Sequence, residues 1–504
     1  MARYKNYDYS QKVLLPVSLE NQLTPGTLEF AIHTLVETRL DLSVFDEKYC
    51  NDETGRLAYD PKVLLKVVLL AYSRGLISSR KIERACQENV TFIALSCCQY
   101  PDHSTIAAFV SSMKDEILSL FRDVLLVCEE MGLLGGTFFA LDGCKLPSNA
   151  SKESSGTISE LKKRRDKIEG HVRDLLCQQM EADRKGDERK QASHSSNEQR
   201  RKRQIERLQK QADRIDKWLQ NNDAKIGKAG KEIKSNVTDN ESAKMKISYG
   251  SIQGYNSQAF VDAKHQVIVH GEAFGSGQDF GHLEPMLDGA KENLRSIGHK
   301  QDYFSGKILT ADASYHCASN IKRCDQEGLD AYIPDYNFRK RDSRFRKRHK
   351  AKRRSKFVLE DFRYDASADQ YTCPQGKKLT VRVKRMVVDG IIYRQYVASE
   401  KDCNVCTLKS KCVNVTGPKR RYLSVPIAAK HTNLSKKMAE KIDSKKGRKI
   451  YPQRLGIVEP VFANIRTQKR LDRFTFRGKI KVNIQWLLYC IIHNMEKIAN
   501  YGFV

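Results

Sequence analysis

Thr137-Phe138-Phe139-Ala140-Leu141-Asp142 is the stretch on which the fold turns. Aromatic and aliphatic residues run unbroken into a carboxylate, the mark of a buried strand that meets a polar edge. Ile308-Leu309-Thr310-Ala311-Asp312 repeats the pattern. Around these, 257–262, 266–273 and 330–334 read as strands, and 279–296 and 315–327 as helices. This mixed order predicts an α/β fold, and sheets of that class hold ligands at strand ends, where Asp142 and Asp312 are expected. A third carboxylate, Glu459, sits in the helical pattern Ile457-Val458-Glu459-Pro460-Val461-Phe462.

These acids stand out because the chain around them is basic: 89 Lys and Arg against 61 Asp and Glu leave a net charge of +28 over 504 residues. That excess exceeds what solubility asks for and points to a polyanionic partner, with nucleic acid first. A hydrophobic fraction of 40% supports sizeable cores, and the length suggests roughly three domains. No apolar run approaches the roughly 20 residues that span a bilayer, and Met1-Ala2-Arg3-Tyr4-Lys5-Asn6-Tyr7 lacks a signal-peptide core, so a cytoplasmic, nucleoid-associated protein with no membrane partner is expected. In that reducing compartment the 14 cysteines are not a disulfide framework.

Residues 1–130 read as a helical N-terminal DNA-binding domain. Asp60-Pro61 opens a helix through Val63 to Leu70 that ends near Gly75, a second covers Ser79 to Cys86, and a third runs from Ser104 to Val127, in the manner of a helix-turn-helix module. The alternative is a helical cap without DNA contacts. The α/β core is assigned to 131–338 and 445–504, interrupted twice. In the first interruption, 151–235, Ile158, Leu161, Ile168, Val172 and Leu175, then Ile205, Leu208, Ala212, Ile215 and Leu219, keep heptad-like spacing. Two such seams around a polar turn at 184–199 predict an antiparallel coiled-coil hairpin, with dimerisation through it as the alternative. The second interruption, 339–444, opens with 12 Lys or Arg among residues 339–356, including Arg346-Lys347-Arg348 and Lys352-Arg353-Arg354. With Phe338 and Phe345 interleaved, that run is expected to touch phosphates.

The same insertion carries Cys373, Cys403, Cys406 and Cys412. Thiolates suit a tetrahedral zinc ion, and a small β-rich insert would gain stability from one. Only Cys403 and Cys406 form a CxxC pair, so four reduced cysteines are the competing reading.

Hard divalent cations take oxygen ligands, and a pair of them can activate an attacking oxygen and stabilise a leaving one in phosphoryl transfer. Asp142, Asp312 and Glu459 are a sufficient protein contribution to such a site. Taken singly, an Asp ending a strand is more often a turn or cap residue.

Taken together, the motifs resemble the DDE transposases of bacterial insertion sequences, in the branch with a helical N-terminal domain and a cysteine-bearing insert. The resemblance rests on Leu141-Asp142-Gly143 followed by Lys145, and on Gly254-Tyr255-Asn256-x-Gln258-Ala259-x-Val261-Asp262. It continues in Ala311-Asp312-x-x-Tyr315 and in Val458-Glu459-Pro460-x-Phe462 leading to His493-Asn494. It implies an RNase H-like core in which Asp142, Asp312 and Glu459 bind two Mg2+ (or Mn2+) ions. It further implies a homodimer that binds the terminal inverted repeats of its element in double-stranded DNA and performs metal-dependent strand cleavage and transfer. The rivals are a catalytically inactive DNA-binding relative and a basic architectural nucleic-acid-binding protein.

Relatives often surround the last acid with a Tyr, Arg, Glu and Lys series. Here Tyr451 and Arg454 keep the spacing, but four residues separate Arg454 from Glu459, and Arg466 replaces the Lys. On one straight helix Arg454 would lie about 140° from Glu459, with Arg466 on the Glu459 face. Pro460 suggests instead that the helix starts at Glu459, with Arg454 in the segment before it. Arg454, Arg466, Lys469, Arg470 and Arg473, with Lys145, are the expected DNA contacts; ordinary surface charge is the alternative.

Overall fold

In a computed structural model the described residues are 18–48, 57–184, 191–227, 230–345, 356–388, 391–413, 419–426 and 429–502. They fall into two units, Met1–Tyr303 with Arg454–Val504, and Phe304–Gln453. In the first unit, the strand Phe138–Pro147 pairs antiparallel with Gly250–Asp262, in register from Phe139 opposite Asp262 to Pro147 opposite Gly254. Gly250–Asp262 also pairs with Ala243–Ile247 and Ile268–Phe274. Asp142 therefore does not end its strand, as the apolar run suggested, but stands in the middle of it. Cys144 and Leu146, both buried, carry the inward alternation past the acid. Gly143 has to be glycine: a Cβ there would lie 2.0 Å from Gln258 Nε2 on the neighbouring strand.

The helix Lys479–Tyr501 is buried along most of its length. It lies on this sheet because Gly271 leaves room: a Cβ there would meet Cys490 Sγ at 2.8 Å and Trp486 Nε1 at 3.0 Å. Trp486 Nε1 donates to the Gln258 carbonyl at 3.1 Å, and the Asn494 side chain bridges the backbone N–H and carbonyl of Ile268, each at 2.9 Å. The N-terminal helices pack on the same element, as in the stacked rings of Tyr72 and Tyr489, 5.5 Å apart.

Among those helices, Pro61–Ser73 starts where Asp60 caps Lys62 N at 2.7 Å, and every residue from Val63 to Tyr72 is buried. A helix with no free face cannot enter a DNA groove. Three exposed cations of this region, Arg80, Lys81 and Arg84, share the helix Ser79–Glu88. The single helix expected over 104–127 is two, His103–Ser112 and Glu116–Glu130. Ser111 and Ser112 donate their hydroxyls to the Ala108 and Phe109 carbonyls at 3.1 and 3.0 Å, competing with the helical ladder where it stops.

The helices Ile158–Arg184 and Gln191–Asn221 form the hairpin. Leu161, Ile215 and Trp218 make one buried cluster, and Val172, Leu175 and Ile205 a second. Residues 185–190, inside the expected polar turn, lie outside the described residues.

In the second unit, Ile308–Ala311 and Asp330–Tyr332 pair in parallel, joined through the helix Ala318–Gln326. A separate antiparallel sheet runs in the order Tyr422–Pro426, Ile391–Ala398, Lys378–Val388, Gln370–Thr372, Arg363–Asp365. Phe362, Tyr371, Leu379, Tyr396 and Leu423 are its core. The basic triplets Arg346-Lys347-Arg348 and Lys352-Arg353-Arg354 lie outside the described residues.

Candidate functional site

Glu459 lies on the helix Gln453–Ala463, which begins six residues before the expected start and carries Pro460 inside it. Proline is tolerated because of what lies one turn back. The carbonyl that Pro460 cannot satisfy belongs to Gly456, and it accepts instead from Gln266 Nε2 at 2.9 Å. Gly456 also offers no side chain to crowd the helix.

The early start puts Arg454 on the same helix as Glu459. Arg454 Nη1 reaches Asp142 Oδ2 at 2.5 Å, with the two side chains 10% and 22% exposed. Arg454 is thus not a surface cation awaiting DNA, as expected, but the buried partner of the strand acid. Further along, exposed Arg466 comes close to Cys144, whose thiol burial pushes up to about 11; Arg466 opposes that rise and Asp142 adds to it. Asp142 and Cys144 point to one face of their strand, so both arginines tie the Glu459 segment to that face. Glu459 itself is exposed.

Lys469 departs most from expectation. It is 2% exposed, and its Nζ bonds Glu496 Oε2 at 2.7 Å and Asn464 Oδ1 at 2.5 Å. Burial lowers its pKa, with Glu496 partly offsetting that. The cause is local: Asn464–Gln468 is a π-helical turn, closed by Lys469 N donating to Asn464 O at 3.0 Å, and this wider turn rotates Lys469 off the face that α-helical counting gives it. Arg470 is exposed at φ +55°, its aliphatic stem 3.0 Å from where a Cβ on Gly75 would stand. Arg473 is exposed, and Lys145 is half-exposed with Nζ 3.4 Å from the Lys246 carbonyl.

In the second unit, Asp312 closes its strand as expected. Its Oδ1 accepts from Ser314 N at 2.7 Å and from the Ser314 hydroxyl, which fixes the carboxylate and leaves it half-buried. The four thiols of Cys373, Cys403, Cys406 and Cys412 line one small cavity of about 30 Å³. Cys373 begins a tight turn in which Lys377 N donates to its Sγ at 3.3 Å and Gly376 takes φ +77°. Burial raises the Cys412 pKa, the other three thiols adding to the rise while Arg421 opposes it. Among the described residues no group of three or more His, Cys, Asp or Glu is gathered as a ready metal cage.

The motif Asn256-x-Gln258 finds a partner that sequence reading missed. Asp279 Oδ1 accepts from Asn256 Nδ2 at 2.6 Å and Gln258 Nε2 at 3.0 Å, over Gly143 on the face opposite Asp142. Only the register of the two strands could have linked it to the motif. Asp262 instead holds the entry to the strand, accepting from Gly135 N and Gly136 N at 2.9 and 2.8 Å.

Chemically, Asp142, Asp312 and Glu459 supply oxygen donors alone, which suits a hard divalent cation and not a soft one. The Asp142 carboxylate lies partly buried against the Arg454 guanidinium, and a cation could take over the compensation of its charge. Carboxylate oxygens are the donors that magnesium takes.

Two family descriptions match the chain. Residues 372–499 match a Transposase DDE domain and residues 17–112 a Transposase domain (DUF772). The first match contains Glu459 and the four cysteines; Asp142 and Asp312 lie outside both. No curated protein matches the chain. Among the described residues, no helix is long and apolar enough to cross a membrane.

Proposed function

Because the chain belongs to the DDE transposases of insertion sequences and so has an RNase H-like core, we propose that it binds its element's inverted repeats as a dimer, cuts there and joins the freed ends to target DNA. Asp142, Asp312 and Glu459 are the proposed metal-binding acids. The observation that carries this is the Arg454–Asp142 pair, which fastens the helix bearing Glu459 to the strand bearing Asp142 although 316 positions separate the two acids. Magnesium, or manganese, held by these carboxylates would supply positive charge against the phosphodiester and favour ionisation of the attacking hydroxyl.

The chain's own residues do the positioning. Arg454 holds the Asp142 carboxylate in one orientation and Ser314 does the same for Asp312. Arg466, exposed beyond Glu459, is placed to contact a backbone phosphate. A second metal is proposed at the four thiols, where zinc would be favoured by their shared cavity and by the N–H donated to Cys373 Sγ.

The test is incubation of the purified chain with magnesium and labelled element ends. Strand nicks that vanish in Asp142→Ala, Asp312→Ala and Glu459→Ala support the reading; intact ends with the wild type refute it.

A further inference from the structure

The second helix of the hairpin has a use that its seam does not explain. Arg203, Arg207, Lys210 and Arg214 fall at positions i, i+4, i+7 and i+11, one stripe along a helix. All four are exposed, and the stripe points away from the seam residues Ile205, Ala212 and Ile215. None of the four makes an ion pair with a carboxylate among the described residues, although Glu206 lies beside them.

The stripe leads into a hollow at the hairpin's root. Arg214, Ser154 and Thr238 line both the hollow beside the stripe and the next one, where Lys152, Arg473 and Arg477 join them, with Glu153 the one acid. The floor is fixed. Arg477 Nε donates to the Asn149 carbonyl at 2.6 Å, and Asn149 Nδ2 donates to the Thr475 carbonyl at 2.9 Å. The hairpin is rigid at this end too: Arg165 Nη1 pairs with Asp216 at 2.7 Å across the two helices, and Ser155–Gly156 pairs with Ser235–Asn236 at its base.

We propose that this stripe and root form a second DNA-binding groove, which grips the phosphate backbone of duplex DNA without reading its bases. Charge complementarity selects the occupant. From Arg203 to Arg214 the helix advances about 16 Å, a length of duplex that presents on the order of five phosphates per strand. The sites carry no aromatic platform for unstacked bases, so paired DNA is favoured over single strands. The groove deepens the transposase reading and rests on it: the insertion is a clamp on the element's DNA.

The test uses the full chain, a fluorescent duplex bearing an element end, and a salt series. Arg203→Gln, Arg207→Gln, Lys210→Gln and Arg214→Gln combined should weaken binding at least tenfold and flatten the slope of log affinity against log salt by about 3 to 4, near 0.9 per lost phosphate contact. Lys in place of the three arginines should preserve the slope, which separates lost charge from a damaged fold. An unchanged slope and affinity in the glutamine variant, with wild type still binding, overturns the groove and leaves the transposase reading standing. A change in sedimentation from dimer to monomer with DNA binding intact also overturns it, making the stripe a subunit contact. Wild type that binds no duplex at any salt sinks the function itself.

Discussion

At the scale of single residues, the most consequential pair is Arg454 with Asp142. A guanidinium on a metal-binding carboxylate competes with the metal, since both neutralise the same charge. Arg454→Gln should therefore lower the magnesium concentration for half-maximal cleavage several-fold, about fivefold if the pair is worth about 1 kcal/mol. The same change should slow cleavage at saturating metal, because Asp142 loses its orientation. An unchanged magnesium dependence would show that the pair does not face the ion. The sequence offered Arg454 as a candidate by its spacing from Tyr451, yet gave it the wrong partner, because nothing local says that a residue preceding Pro460 is helical. Lys469 was misplaced for a related reason: a π turn leaves no trace in a count of basic residues.

His493 offers a residue-scale prediction of another kind. It is buried, its Nε2–H donates to the Gln266 carbonyl at 2.9 Å, and its Nδ1 has no partner among the described residues. Burial, aided by nearby Lys497, lowers its pKa to about 3 from an ordinary 6.5. The unfolded chain thus binds the extra proton between these values, so the stability is fully present above pH 6.5 and is lost as pH falls toward 3. From pH 7 to pH 5 this residue should cost about 2 kcal/mol. His493→Gln, which can still donate to Gln266, should flatten that part of the stability–pH curve in denaturant titrations. A parallel loss in the variant would place the acid sensitivity elsewhere.

Among elements, legibility follows the strength of the repeat. Heptad-like spacing in the hairpin specified most of the residues that pack, Leu161, Val172, Leu175, Ile205 and Ile215 among them, while Trp218, buried beside Leu161 and Ile215, fell outside the expected seam. The strand Phe138–Pro147 was readable in its first half and not its second, because Asp142 and Gly143 break the apolar run while the alternation continues at Cys144 and Leu146. The cysteine insert was legible as a thiol cluster through its CxxC pair, but its sheet order depends on pairings no short motif encodes. Its metal is testable as an element property. The chain purified without chelator should carry one zinc, lost in Cys403→Ser with Cys406→Ser. At zinc 100-fold above its dissociation constant the ion should stabilise the insert by about 2.7 kcal/mol, read as a chelator-induced drop in its melting temperature. Metal content indifferent to the substitutions would leave Cys373, Cys403 and Cys412 as members of the small core they already pack against.

For the whole molecule the governing quantity is the net charge of +28. Charge of that size binds any duplex, since non-specific affinity is almost wholly the release of counterions from phosphates. Contacts to 6–10 phosphates would weaken such binding by roughly 10³ to 10⁵ between about 50 and 200 mM salt. Recognition of an inverted repeat adds contacts to base edges, which salt screens far less. The ratio of affinity for element ends over scrambled duplex should therefore rise with salt in competition experiments, even as both affinities fall. A ratio that stays flat would mean the ends are chosen through backbone charge and shape alone. The exposed cations of Ser79–Glu88 would then serve as phosphate contacts and not as readers of sequence.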